Sequence, residues 1–397
     1  MRTDTTGVAP VGQRRFGVLM VNCALYGGGT DDRFFRLASA LHQAGHRVGI
    51  AGPDSAPYGV MAKRQGMEVI HTERRKRSRI LTVARALRSG RFEVIQAHHG
   101  RDYWPAVASI YLSGVRPALV LVRHLAKSPS WFSRLFLLGH CSVMVGVSEF
   151  VVKVLREGAY ESDSPEPERR CRPPMWLWGN ARSKIRMIHG AFDLERFTPS
   201  SGDALRAEWG MRPEHTVFGV VGAYGLPRGK GQREFLQAAA CIQRDCPDAR
   251  FAIIGRGKLR SALEEDICAL GLQGKVVLTP WYEPGRMPEV MNAMDCLVLP
   301  QVGTEALPGV VIEAHACGKE VIATTIDGNE EAFRTGALGR LVPPYSIEHM
   351  ADAMGAIVRG SRPSMEERIR VHERVKEEYS PDKALQRYEQ LYAEILN

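Results

Sequence analysis

Short unbroken apolar runs alternate with stretches of helical spacing along almost the whole chain. Residues 16–22 (FGVLMVN) read as a buried strand, followed by the loop Tyr26-Gly27-Gly28-Gly29-Thr30. Phe34, Leu37, Ala38 and Leu41 then recur at helical intervals, with Thr30 as cap, Asp31 and Asp32 in the first turn and Gly45 as stop. Strands are predicted next over 46–51, 92–96, 118–123, 142–147 and 185–188. The beat breaks at 159–184, where four prolines and many charges predict a polar, exposed insertion. After a linker at 197–202 it restarts, with strands over 216–224, 250–255, 275–281, 296–300, 320–324 and 339–342. From about Ser346 the tail is helical, and Pro381 opens the last helix. Strand–helix–strand units of this length predict parallel sheets with helices on both faces. The economical architecture is two similar α/β halves with a cleft at the carboxyl ends of their strands.

Composition narrows the class. A chain of 397 residues, 44% hydrophobic and 24% charged, is globular material for two domains, which excludes a disordered or fibrous protein. Lys and Arg exceed Asp and Glu by 53 to 44, a formal +9 that favours an anionic ligand or surface. The eight cysteines are scattered without a CxxC pair and read as reduced thiols. The first fifteen residues lack the apolar core of a signal peptide, and no apolar run reaches spanning length. The expectation is a soluble cytoplasmic protein.

Three phosphate signatures fail. Gly255-Arg256-Gly257 follows a strand, but Arg260 stands where a dinucleotide fingerprint needs its third glycine. Residues 225–231 (GLPRGKG) are one short of a P-loop and put Gly231 where a hydroxyl is required. Gly27–Gly29 lacks the spacing altogether. His42 and His46 have no glutamate partner and make a poor metal pair.

The informative segment is 302–325, VGTEALPGVVIEAHACGKEVIATT. Glu305 falls at a loop tip and Glu313 in the following helix, which Pro308 and Gly309 open so that its first N–H groups face the cleft. A helix N-terminus suits phosphate, and a flanking carboxylate suits sugar hydroxyls. Taken alone, the two glutamates are equally an exposed loop residue and a solvated helix face. The segment resembles the E-x7-E signature of retaining glycosyltransferase family 4 and its E-A-x-A-C-G-x-x-V-I-A-T continuation. Other elements of the same family are resembled by IRMIHGAFDLERFTP at 185–199 (its interdomain segment, with Asp193 and Phe197), VGVSEF at 145–150, IDGNEEA at 326–332 (with Gly328 and Glu331) and MNAMDCLVLP at 291–300. The resemblance covers the chain from about Phe16, more loosely in the N-terminal half.

That resemblance implies a GT-B fold: two facing Rossmann-like domains with a central cleft. The N-terminal domain, at 16–200, would hold acceptor; the C-terminal one, at 201–375, nucleotide-sugar donor. Residues 1–15 would be a disordered leader, and 376–397 a helix packing back towards the N-terminal domain. Glu313 would grip the donor ribose and Glu305 the transferring sugar, while backbone N–H groups around Leu307, Pro308 and Gly309 hold oxygens. Lys230 would neutralise the leaving diphosphate. The pattern departs at Ala223, where the family has an arginine; Arg228, in a longer loop, is the chemical substitute. Pro308 also removes one N–H donor where glycine is commoner. Gly28 and Gly29 resemble the glycine-rich first loop, His124 the histidine near the anomeric carbon, and His98 and His99 a second element. Gly255, Trp281 and Tyr282 are candidates for the base pocket, although plain core aromatics would look the same.

Residues 74–91 hold the densest basic run, with Leu81, Ala84, Leu87 and Arg88 suggesting an amphipathic helix. It is either a solvated face or a docking surface for an anionic inner membrane; no aromatic platform points to nucleic acid. The resemblance thus implies a metal-independent, cofactor-free retaining glycosyltransferase moving a sugar from a nucleotide-sugar to a glycan or lipid-linked acceptor. Cell-surface polysaccharide or lipopolysaccharide assembly is the context it suggests, in the cytoplasm, with peripheral docking on the inner face of the cell membrane as the further expectation. The alternatives are a GT-B epimerase or synthase, and a non-catalytic nucleotide-sugar binding protein.

Overall fold

Seven strands, β1 (Gly17–Val21), β2 (Arg47–Gly52), β3 (Glu68–His71), β4 (Val94–Ala97), β5 (Ala118–Arg123), β6 (Val143–Gly146) and β7 (Ile185–Met187), form one parallel sheet in the order β3-β2-β1-β4-β5-β6-β7. The structure is a computed structural model that describes residues 14–73, 75–126, 131–157, 183–225 and 230–397. Most of the insertion expected at 159–184 and nearly all of the leader lie outside those residues. Helices α1 (Gly29–Gln43), α2 (Pro57–Arg64), α3 (Lys76–Arg88), α4 (Tyr103–Ser113), α5 (Trp131–His140) and α6 (Glu149–Glu157) connect the strands. Central strands such as β1 are buried throughout, which is why they read as continuous apolar runs. The edge strand β3, EVIH, is only half-buried and too polar to stand out, so the apolar pattern missed it.

The second sheet runs β10-β9-β8-β11-β12-β13, again all parallel. Its strands are β8 (Thr216–Val221), β9 (Ala249–Ile254), β10 (Val276–Thr279), β11 (Cys296–Leu299), β12 (Glu320–Thr324) and β13 (Gly339–Val342). Its helices are α7 (Asp203–Glu208), α8 (Gln232–Ile242), α9 (Arg260–Ala269), α10 (Met287–Ala293), α11 (Gly309–Ala316), α12 (Asn329–Gly336) and α13 (Ile347–Arg359). In both sheets strand order reverses beside the first strand, at β1/β4 and at β8/β11, which places the β1–α1, β8–α8 and β11–α11 loops at the switch points.

The chain crosses between the domains twice. Ala191 packs in the N-terminal core and Phe192 in the C-terminal one, so the packing boundary precedes the linker read at 197–202. The return is made by α14 (Met365–Tyr379) and α15 (Pro381–Leu396). Ser380 ends the first and caps the second by accepting from Lys383 N, with Pro381 at the first helical position. Tyr379 belongs to the C-terminal core, whereas Ala384, Tyr388, Leu391 and Tyr392 of α15 are buried in the N-terminal core.

Two local expectations are corrected. Thr30 does not cap α1: the N-cap is Gly28, at φ 98°, and no side chain caps it. Asp31 turns back instead, accepting from Asn22 Nδ2 at 2.8 Å and Gly27 N at 3.1 Å, and so fixes the glycine loop. In α3 the apolar face is Val83, Ala84, Ala86 and Leu87; Leu81 lies outside, and Arg79 is buried against Asp102.

Candidate active site

The C-terminal wall is built from three loops. Gly231 ends the β8–α8 loop at φ 87°, and a Cβ there would lie 2.2 Å from Pro300 O. Only glycine permits that approach, which sets the loop against the end of β11. Lys230 Nζ therefore donates to Glu305 Oε2 at 2.6 Å and to Gln301 Oε1 at 2.9 Å. Gln301 is held by Thr324, whose hydroxyl donates to its carbonyl at 2.5 Å. Glu305 N donates to Asp327 Oδ2 at 3.2 Å, and Gly328 N to Glu305 O at 3.1 Å, so the β12–α12 loop braces the glutamate. Lys230 and Glu305 keep one-third and one-fifth of their side-chain surface exposed, 33% and 20%. They form an ion pair that a ligand can reach and divide.

Beside this pair α11 starts at Gly309, with Pro308 as N-cap residue and no capping side chain. Its first N–H groups suit an anion. Glu313, one turn on, is half-buried, and desolvation pushes its carboxyl up to about 7 against the pull of Arg33. Arg33 projects from α1 of the other domain, and no motif marked it. Its guanidinium stacks 4.5 Å over the Phe192 ring, and Nη2 donates to Leu307 O at 3.4 Å. Its Nε is buried and has no partner among the described residues. Burial lowers its pKa, while Glu305 and Glu313 raise it. A Cβ at Gly309 would sit 2.9 Å from its Nη2, and one at Gly29 3.2 Å from Nη1. Glycines thus line its path across the cleft, and the space beside Gly27 and Gly28 is open. The sequence signal available was weak: one arginine following an acidic first turn.

His124 lies at the end of β5, its Nε2 3.2 Å from His98 Nδ1. Burial holds His124 well below the usual histidine range, and His98 at about 3, so both rings are neutral. Trp281 lies past the end of β10, 41% exposed, with the Arg256 guanidinium 5.5 Å over its ring. Gly255 brings its loop onto β8, since a Cβ would meet Gly222 O at 2.1 Å. Tyr282 is instead a core residue whose hydroxyl accepts from Trp209 Nε1 at 2.9 Å. Arg228 lies outside the described residues. His46 accepts from Phe16 N and reaches Glu389 Oε1 at 2.9 Å, which accounts for both ring nitrogens without a metal. Among the described residues one group, Cys23, His99 and Asp102, brings three possible metal-ligand atoms within 4.8 Å of one another. Asp102 already accepts from Arg79 on Oδ1 and from Cys23 N on Oδ2.

The two walls are tied together. Ser148 Oγ donates to Ala306 O at 2.7 Å, and Glu149 N to both Glu331 oxygens at 3.0 and 2.8 Å. Arg36 pairs with Asp193 at 2.9 Å. The two glutamates, the lysine and the α11 N-terminus therefore share one wall, with Arg33 and His124 brought up from the other domain.

Residues 215–359 match the family described as glycosyl transferases group 1. A D-inositol 3-phosphate glycosyltransferase of Nocardia farcinica is 28% identical over 243 residues, covering 54% of this chain and 53% of the relative. One of Rhodococcus opacus is 33% identical over 188 residues, covering 46% and 42%. The chain thus spans about half the length of the curated relatives it matches. Among solved structures, Anabaena Alr3699/HepE in complex with UDP superimposes with a TM-score of 0.76 at 17% identity, over 96% of this chain and 100% of that one. A glycosyltransferase of Rickettsia africae gives 0.78 at 17%, over 96% and 99%. The fold is GT-B, two parallel-sheet Rossmann-like domains.

Proposed function

From the premise of a group 1 glycosyltransferase domain on a GT-B scaffold, we propose that this chain is a retaining, metal-independent glycosyltransferase that uses a nucleotide-sugar donor. The observation that carries the reading is the Lys230–Glu305 pair at 2.6 Å, set beside the N-terminus of α11 and Glu313 on one wall. In this reading the donor diphosphate takes the α11 N–H groups and the Lys230 ammonium, which frees Glu305 to face the transferring sugar. Arg33 supplies a second cation from the opposite domain, the role that Ala223 leaves vacant. Glu313 accepts from the ribose hydroxyls.

The bond from the anomeric carbon to the diphosphate oxygen breaks, and its electron pair leaves with the diphosphate. The acceptor oxygen bonds to the same face, and its proton passes to the departing diphosphate oxygen. Burial lowers the basicity of His124, which favours the leaving group as base. Positive charge fixed on the diphosphate stabilises the transition state without reorganisation. The acceptor is a glycan or a lipid-linked sugar of cell-surface polysaccharide or lipopolysaccharide assembly, met at the inner face of the membrane. Support for a glycan acceptor comes from a TarM variant solved with UDP and fondaparinux, at TM-score 0.67 and 10% identity. Docking would use the exposed basic side of α3. No helix among the described residues is long and apolar enough to cross a membrane.

The test is nucleoside diphosphate release from UDP-, GDP- and ADP-sugars in the presence of glycan acceptors. Glu305→Ala should lower turnover on the order of 10²–10³-fold while nucleotide binding persists. EDTA should leave the wild type active, and the product should keep the donor's anomeric configuration. Near wild-type transfer by Glu305→Ala, or an inverted product, would refute the reading.

A further inference from the structure

The carboxyl end of β5 carries a hydrogen-bond chain that starts in the last helix of the molecule. Tyr392 of α15 is fully buried, and its hydroxyl donates to Gln96 Oε1 on β4. Gln96 Nε2 lies 2.8 Å from His98 Nε2. His98 Nδ1 lies 3.2 Å from His124 Nε2. His124 Nδ1 is buried and has no partner among the described residues. The Phe34 ring stands edge-on to His98 at 4.9 Å, and the two imidazoles stack at 5.5 Å, so the rings have little room to turn.

Neutral imidazole has one donor and one acceptor nitrogen, and each link in the chain constrains the next. With the Tyr392 proton on Gln96 Oε1, the amide N–H points at His98 Nε2, which must accept. His98 then carries its proton on Nδ1 and donates it to His124 Nε2. His124 is left with its proton on Nδ1. The opposite direction is possible for the amide and both rings, but it ends by turning the Tyr392 oxygen into an acceptor. Its buried proton would then have no acceptor among the described residues, which is costly in a dry core. The tyrosine therefore breaks the symmetry of the chain.

We propose that Tyr392, acting through Gln96 and His98, is a positioning residue that holds His124 as an Nδ1–H donor at the active-site cleft. That donor suits an oxygen of the sugar or acceptor, and only this use of it rests on the glycosyl-transfer reading. The relay also makes α15 part of the site: the helix crosses from the C-terminal domain and ends by setting a tautomer in the other.

The test is made on the full-length, ligand-free chain labelled with ¹⁵N-histidine, so it stands whether or not the protein transfers sugar. Two-bond ¹⁵N–¹H correlations report which imidazole nitrogen is protonated, and His124→Gln assigns the signals. The wild type should show His124 in the Nδ1–H form. Tyr392→Phe keeps the ring and removes the hydroxyl; its His124 should become a mixture or move to the Nε2–H form. Gln96→Met, which cuts the chain at its second link, should do the same if the tyrosine variant fails to fold. A wild-type His124 in the Nε2–H form would overturn the proposal, as would an unchanged His124 pattern in the folded variant.

Discussion

Glu313 shows how one half-buried carboxyl ties stability and ligand binding to pH with opposite signs. Desolvation raises it to about 7 in the folded chain, so its contribution to stability is complete below the ordinary glutamate value and is lost as pH rises through 7. Accepting from both ribose hydroxyls at once, one on each oxygen, needs the ionised form, so UDP affinity should rise across the same window. Below pH 7 the dissociation constant should increase by up to about tenfold per pH unit. Arg33→Gln removes the cation that opposes the desolvation, and the midpoint of that dependence should then move upward. Calorimetric titration with UDP between pH 5.5 and 8.5 reads both effects, and a flat profile would dismiss Glu313 as the pH-sensitive group. Glu305 and Glu313 were singled out in the segment 302–325 and Lys230 in the separate loop at 225–231, each because its surroundings resemble a family motif rather than through its own spacing. Arg33 was not, because nothing in α1 marks which of its side chains crosses to the other domain; only Phe192 and the glycines at 29 and 309 reveal it.

At the scale of elements, the interior strands were legible to within three residues because both of their faces are buried. Pattern failed where burial is one-sided or where charge goes inward. The strand at 68–71 is too polar to register, and α3 turns Arg79 inward while leaving Leu81 47% exposed. That helix is accordingly less basic outside than its sequence, since Arg79 is turned inward, and just past its end Arg91 pairs with Glu68. Arg75, Lys76, Arg77 and Arg85 remain on the exposed side, beside Leu81 and the exposed Tyr111 and Leu112 of α4. Basic side chains near an anionic bilayer contribute about 1 kcal/mol each, so docking by this face should depend on charge. Co-sedimentation with vesicles rich in phosphatidylglycerol should fall by roughly an order of magnitude or more in Arg75→Ala/Arg77→Ala/Arg85→Ala and in high salt. Equal binding of wild type and variant would leave α3 as an ordinary solvated helix.

In the whole molecule, the two domains meet at a charged clamp centred on His189, in the first crossing. Its Nε2 lies 2.6 Å from Glu331 of α12 and its Nδ1 2.5 Å from Glu378 of α14. Glu331 also accepts from Glu149 N of the N-terminal domain, and Arg387 of α15 pairs with Glu378 at 2.7 Å. The Tyr379 ring packs alongside, at 4.8 Å. The pattern put the linker later, at 197–202, and the partners of His189 were not readable, because they come from two helices far along the chain. Both ring nitrogens can donate at once only in the protonated imidazole. Burial opposes that charge, yet the hydrogen bonds the ring donates to Glu331 and Glu378 outweigh it and raise the His189 pKa. The stabilisation is therefore complete below the ordinary histidine value and is lost as pH rises through the higher folded one. Losing one charge-assisted bond costs about 1.5–3 kcal/mol. Between pH 6 and 9 the melting temperature should fall, and small-angle scattering should report a wider separation of the domains. His189→Asn should start less stable and change less over that range, while Glu313→Gln should retain the opening. A variant whose melting and scattering curves run parallel to the wild type would mean that the domains are held by the Ser148 and Arg36 contacts instead.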